Sequence, residues 1–263
     1  MIRLEGILRH DRAVIAGGLA LVLAFAWAYL WQGAGMGMSA LDMTALSLFP
    51  HKQTAMTGSM DASLPLLVLM WWVMMIAMMT PSAAPLMLLY SAVLRHHGRS
   101  PGTACGSTAQ LLAGYLLVWL AFSIAAALLQ KVLQPAGLIS GMMWWSRSAM
   151  LSALVLAAAG LYQLSPMKSA CLRQCRSPAR FLADRWRPGL LAGFSMGVRH
   201  GAFCVGCCWM MMTLLFVGGV MNLVWIAALT LLVLAEKLLP GGRVVAMVSG
   251  VTMIAWALAT LVA

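Results

Sequence analysis

The segment Met196-Gly-Val-Arg199-His200-Gly-Ala-Phe-Cys204-Val-Gly-Cys207-Cys208-Trp209-Met-Met211 gathers three thiols, an imidazole and flanking thioethers into one short run. On an α-helix, side chains three, four and seven residues apart share a face. With His200 as origin, roughly 100° per residue puts Met196 near −40°, Cys207 near −20°, Met211 near +20°, Cys204 near +40° and Cys208 near +80°. Val198, Val205 and Trp209 fall outside that arc. A thiolate in an apolar interior is very costly unless a cation neutralises it, so these thiols are either protonated and inert or bound to metal. Thiolate, thioether and imidazole together suit a soft ion, and copper(I) suits them better than magnesium or calcium. Copper(I) accepts two or three ligands, which one helix face and a neighbour can supply, whereas zinc prefers four in a tetrahedron and stays a possible occupant. The competing explanation is packing, since a single buried Cys or Met is usually an apolar filler.

A second set of sulfurs recurs at helical spacing. Met70, Met74 and Met78 stand four residues apart, with Met75 and Met79 alongside, just before Thr80-Pro81-Ser82 and Pro85. Neutral thioethers bind copper(I) without losing a proton, so Met74 and Met78 are candidate ligands on a low-affinity path; a stripe of pliable packing residues is the plainer explanation. The two prolines leave carbonyl groups that need partners in neighbouring helices or water. Cys171 and Cys175 lie in the basic run Lys168–Arg187, four residues apart, and on a helix would share one side. Arg173 and Arg176 beside them would favour thiolates, so a metal hand-off is one reading and ordinary surface cysteines the other. Reducing conditions in the cytoplasm argue against a structural disulfide there.

These groups need elements to hold them, and composition says which. Of 263 residues 63% are hydrophobic and only 9% charged, which is far too apolar for a water-soluble domain or a disordered chain. Apolar runs at 13–31, 63–94, 108–130, 149–164, 190–216, 221–238 and 244–262 predict an all-α, polytopic membrane bundle of about seven spans, with six as the alternative. A tight turn is expected at Gly218-Gly219. The first span is too long, and lacks the small-residue cleavage site, for a removable signal peptide. With no repeat or long linker, residues 1–263 read as one transmembrane domain, and 32–62 as a Met-rich extracytoplasmic loop.

The formal charge of +11 is first an orientation signal. With the amino terminus in the cytoplasm of a cell with an inner membrane, Arg3, Arg9, Arg12, Arg95, Arg99, Lys168, Arg173, Arg176, Arg180, Arg185, Arg187, Lys237 and Arg243 all fall inside. Lys52, Lys131 and Arg147 fall outside, and Arg199 sits within a span. The partner this predicts is the lipid bilayer; no folded basic face with aromatic context points to nucleic acid. Met36, Met38, Met43, His51, Met56 and Met60 in the outer loop read either as a capture segment or as an interfacial helix. His96 and His97 read as solvated loop histidines, and Cys105 as ordinary. Glu236 is the carboxylate deepest in an apolar run, a functional candidate or an interfacial ion pair with Lys237 and Arg243.

Four blocks in order carry a family resemblance: Trp72-Val-Met-Met-Ile-Ala-Met78-Met79-Thr-Pro81-Ser82-Ala-Ala-Pro85; Gly160-Leu-Tyr162-Gln163-Leu-Ser-Pro166-Met-Lys168-Ser-Ala-Cys171-Leu-Arg-Gln-Cys175-Arg176-Ser-Pro178; Gly201-Ala-Phe-Cys204-Val-Gly206-Cys207-Cys208-Trp209-Met; and Met221-Asn222-Leu-Val-Trp225 with Glu236-Lys237-Leu-Leu-Pro240. Over about residues 65–262 the chain resembles the DUF2182 family of metal-binding integral membrane proteins, often labelled copper chaperones. The resemblance implies membrane location, metal binding and Cys204, Cys207 and Cys208 as ligands; it implies no reaction. The function expected is therefore not catalysis but holding copper(I) and passing it to a membrane or periplasmic cuproenzyme or copper carrier. The competing functions are a membrane thiol–disulfide oxidoreductase and a metal-free assembly subunit whose Cys and Met only pack.

Overall fold

A computed structural model describes residues 2–35, 41–42, 44, 47, 49, 62–141, 144–186 and 189–263, with the backbone alone described over 2–12. The Met-rich loop residues Met36, Met38, Met43, His51, Met56 and Met60 lie outside these. Ten helices follow one another in the described residues: α1 Ile2–Trp31, α2 Leu64–His96, α3 Pro101–Leu133, α4 Ala149–Leu164, α5 Pro166–Arg176, α6 Pro178–Arg185, α7 Ala192–Thr213, α8 Leu215–Gly218, α9 Leu223–Leu238 and α10 Gly242–Val262. Local chemistry sets several of their starts. Proline fits the first turn, where its missing N–H is not needed, and α3, α5 and α6 each begin at a Ser-Pro pair. The hydroxyls of Ser100 and Ser165 cap α3 and α5 by accepting from the Thr103 and Lys168 N–H groups. The Asn222 side chain caps α9 through the N–H groups of Val224 and Trp225.

The all-helical bundle agrees with the composition, and the span count lies closer to the alternative of six than to seven. Five helical stretches are long and apolar enough to cross a bilayer, or six if the bent pair α4 and α5 is one span. α9 has only 16 residues, about 24 Å at 1.5 Å per residue, short of a hydrocarbon core of about 30 Å. α4 is equally short, and the chain bends by 64° into α5 at the Ser165-Pro166 junction. The outward faces of the long helices are apolar, with Leu117, Ile124 and Leu128 on α3 and Val248, Val251 and Leu258 on α10 all exposed. Such bands suit lipid, not water.

Small residues bring α3 and α7 together. Gly193, Gly197 and Gly201 recur every fourth residue along one face of α7. A Cβ added at Gly197 would lie 2.0 Å from the Leu111 carbonyl oxygen, and one at Gly114 2.2 Å from that of Phe194. This is small-residue packing of membrane helices, where backbones themselves make the contact. The expected turn after α7 is present: Gly219 has φ +97° and Gly218 lies flat against the Trp225 ring, leaving no room for a Cβ.

Candidate metal centre

Cys204, Cys207 and Cys208 point into the bundle, each no more than 1% exposed. The Cys207 and Cys208 thiols both lie against the Cys204 carbonyl oxygen, at 3.1 and 2.9 Å. This is the back-bonding that thiols and hydroxyls make to the preceding turn of their own helix. The helical arc read from the sequence therefore faces the interior, as its spacing requires.

Four other helices bring groups to these sulfurs. From α2, the Met79 thioether lies 3.8 Å from the Cys208 sulfur. From α5, the Cys175 sulfur lies 3.9 Å from that of Cys207. From α3, the Tyr115 hydroxyl stands 3.1 Å from the Cys204 sulfur and also donates to the Met79 carbonyl oxygen at 3.0 Å. The Ser82 hydroxyl donates to that same carbonyl at 2.8 Å. Tyr115 thus ties α3 to the α2 backbone two residues before Pro81.

A cation completes the surroundings. Lys237 of α9 is 5% exposed, and its Nζ donates to the Cys204 sulfur at 3.0 Å and to the Ser82 hydroxyl at 3.1 Å. Glu236 does not pair with it or with Arg243. Its carboxylate accepts instead from the Lys168 Nζ at 2.6 Å and from the Gln163 amide at 2.7 Å, and both charged side chains are buried. Lys168 and Lys237 therefore leave the set of basic loop residues, because both reach into the bundle.

The remaining predicted ligands divide. Met211 is buried, but its sulfur lies 3.4 Å from the Lys168 Nζ. His200 sits one turn below Cys204, stacked on Tyr115 at 5.8 Å and edge-on to Phe181 at 5.2 Å. Its Nδ1 has no hydrogen-bond partner among the described residues. Met74 and Met78 are fully buried on α2, while Met79 is the residue of that stripe that touches a thiol. Cys171 is half-buried and lies against Gly206, where a Cβ would meet its sulfur at 3.0 Å. The basic run carrying Cys171 and Cys175 is therefore not a loop. It is helix α5 folded against α7, with Arg173 exposed and Arg176 turned to the Leu239 and Pro240 carbonyls. The charge beside the thiols comes from Lys237 instead of these arginines. Of the other marks, Cys105 is exposed, His97 stacks on Trp186 at 5.8 Å, and Trp71 is fully buried against Phe216.

Met79, Tyr115, Ser82 and Lys237 are the neighbours that sequence spacing alone did not single out. Lys237 carried a signal, a lysine inside an apolar run beside the deepest carboxylate, although its partner on α7 is remote in sequence. Among the described residues no three His, Cys, Asp or Glu side chains form a ready-made metal cluster. The donors that do converge are thiols and a thioether, a set that fits an ion content with two or three soft ligands.

No curated protein and no solved structure matches the chain. A family model described as PpoB2, a copper chaperone, matches residues 68–260. That range holds α3 to α9 complete and every sulfur of the cluster, and it supports the copper part of the motif resemblance without carrying the DUF2182 name. The chain therefore belongs to this copper chaperone family.

Proposed function

We propose that this protein holds copper(I) inside the membrane on the thiolates of Cys204, Cys207 and Cys208, with Cys175 and Met79 as exchange partners. In this reading it passes the ion to a membrane or periplasmic cuproenzyme or copper carrier. The observation that carries the reading is the meeting of thiols from α7 and α5 with a thioether from α2 in the buried core. Packing alone gives no reason for sulfurs from separate helices to converge, whereas a soft cation does. Transfer is by ligand exchange: a neighbouring sulfur adds to the ion before the previous one leaves, so the ion is never bare in an apolar medium. In this reading the ion steps from Met75 and Met79, four residues apart on one face of α2, to Cys208, then to Cys204 and Cys207, and on to Cys175 and the half-buried Cys171. The orientation belongs to the same proposal: an inner-membrane protein with a cytoplasmic amino terminus, so that α2 starts outside.

The Cys175–Cys207 separation of 3.9 Å also favours a second reading, thiol–disulfide exchange. The two readings part in one experiment. Copper(I) titration and metal analysis of the detergent-purified protein are run beside a Cys204→Ser, Cys207→Ser, Cys208→Ser variant. The proposal expects cysteine-dependent copper and free thiols in the metal-free protein. Equal copper in both proteins refutes it, and a disulfide that cycles with substrate favours the second reading.

A further inference from the structure

Lys237 is a buried ammonium whose neighbour in sequence offers it nothing. Glu236 leaves α9 about 100° away around the helix and is held by Lys168 at 2.6 Å and Gln163 at 2.7 Å. Among the described residues the Lys237 Nζ donates to the Ser82 hydroxyl and to the Cys204 sulfur. An ammonium taken out of water is costly unless an opposite charge accompanies it. Here the group that can supply that charge is a ligand-type sulfur at 3.0 Å. Copper(I) on three thiolates is a complex of charge −2, and on two a complex of charge −1; the ammonium offsets one unit of that negative charge in either case.

The consequence is a preference for valence. For any fixed number of thiolates, the complex of a monovalent ion is one unit more negative than that of a divalent ion. A positive charge beside the site therefore favours the monovalent complex by one charge–charge interaction. Taking on this basis the copper(I) site proposed above, we infer that Lys237 sets the site's ion selectivity, admitting soft monovalent cations and disfavouring zinc. At about 4 to 5 Å and an effective dielectric near 20, one such interaction corresponds to about a hundredfold to a thousandfold in relative affinity. The surrounding network serves this role: Lys168 and Gln163 hold the Glu236 carboxylate away from Lys237, which leaves the ammonium facing the Cys204 sulfur.

The test measures copper(I) and zinc(II) affinities of the full-length protein in detergent, for wild type and for Lys237→Met, Lys237→Gln and Lys237→Arg. The two neutral variants should lower the copper-to-zinc affinity ratio by at least about a hundredfold, while Lys237→Arg holds it within about tenfold. Both neutral variants are made because either can fail to fold; a monodisperse, helical sample of one suffices. Cysteine-dependent copper binding with an unchanged ratio in a folded neutral variant overturns this inference and leaves the proposed function standing. Wild-type protein that binds no copper(I) overturns both.

Discussion

Gly197→Ala tests whether backbone contact between α3 and α7 is what positions the thiols. The added Cβ would stand 2.0 Å from the Leu111 carbonyl oxygen and 3.0 Å from the Tyr115 nitrogen, where ordinary contact begins at 3.4 Å. The neighbour is backbone, so no side chain can turn aside, and the helices must part by about 1.4 Å along that line. Alanine gains about 1 kcal/mol of helix propensity, against an overpacking cost of about 1–3 kcal/mol or more. The same separation stretches the Tyr115–Cys204 contact, which is 3.1 Å. The control is Gly106→Ala on α3, where nothing lies within 4 Å of the new Cβ and only the propensity gain applies. Thermal unfolding in detergent should place Gly197→Ala below wild type and Gly106→Ala at or above it, and copper(I) titration should show weakened binding for the first alone. If the two variants unfold together and bind copper(I) equally, α3 and α7 do not make this contact and the derived site geometry is wrong.

Two further outcomes follow from the buried groups. Lys168→Met should destabilise the protein by about 3–5 kcal/mol, because it leaves Glu236 charged and buried without its cation; adding Glu236→Gln should recover much of the loss in the same unfolding assay. Met79→Leu nearly conserves volume and should cost under about 1.5 kcal/mol of stability, while removing the α2 thioether from Cys208; copper(I) titration should show affinity down by about 10–100-fold.

The α7 arc was legible because period and residue type coincide: thiols three and four residues apart must share a face once the segment is helical. The α5 arrangement was not. Lys168, Arg173 and Arg176 give that stretch the composition of a solvated loop, and its burial depends on Glu236, 68 residues away, neutralising Lys168. Spacing shows that Cys171 and Cys175 share a side, and Ser165-Pro166 marks the break, but the 64° angle at that break and the helix it lays that side against are not in the spacing. The span count was legible only approximately, with five or six against the expected seven or six, since α9 is apolar enough for a membrane but only 16 residues long. Lys237 was visible as an oddity, and only the fold supplies its partner on α7.

X-ray absorption of the copper-loaded, full-length protein addresses the central claim most directly. The account predicts copper(I) in a first shell of about two to three sulfurs, with copper content lost when Cys204, Cys207 and Cys208 become serine. A first shell of nitrogen and oxygen, or a sulfur shell that survives the triple substitution, would contradict it.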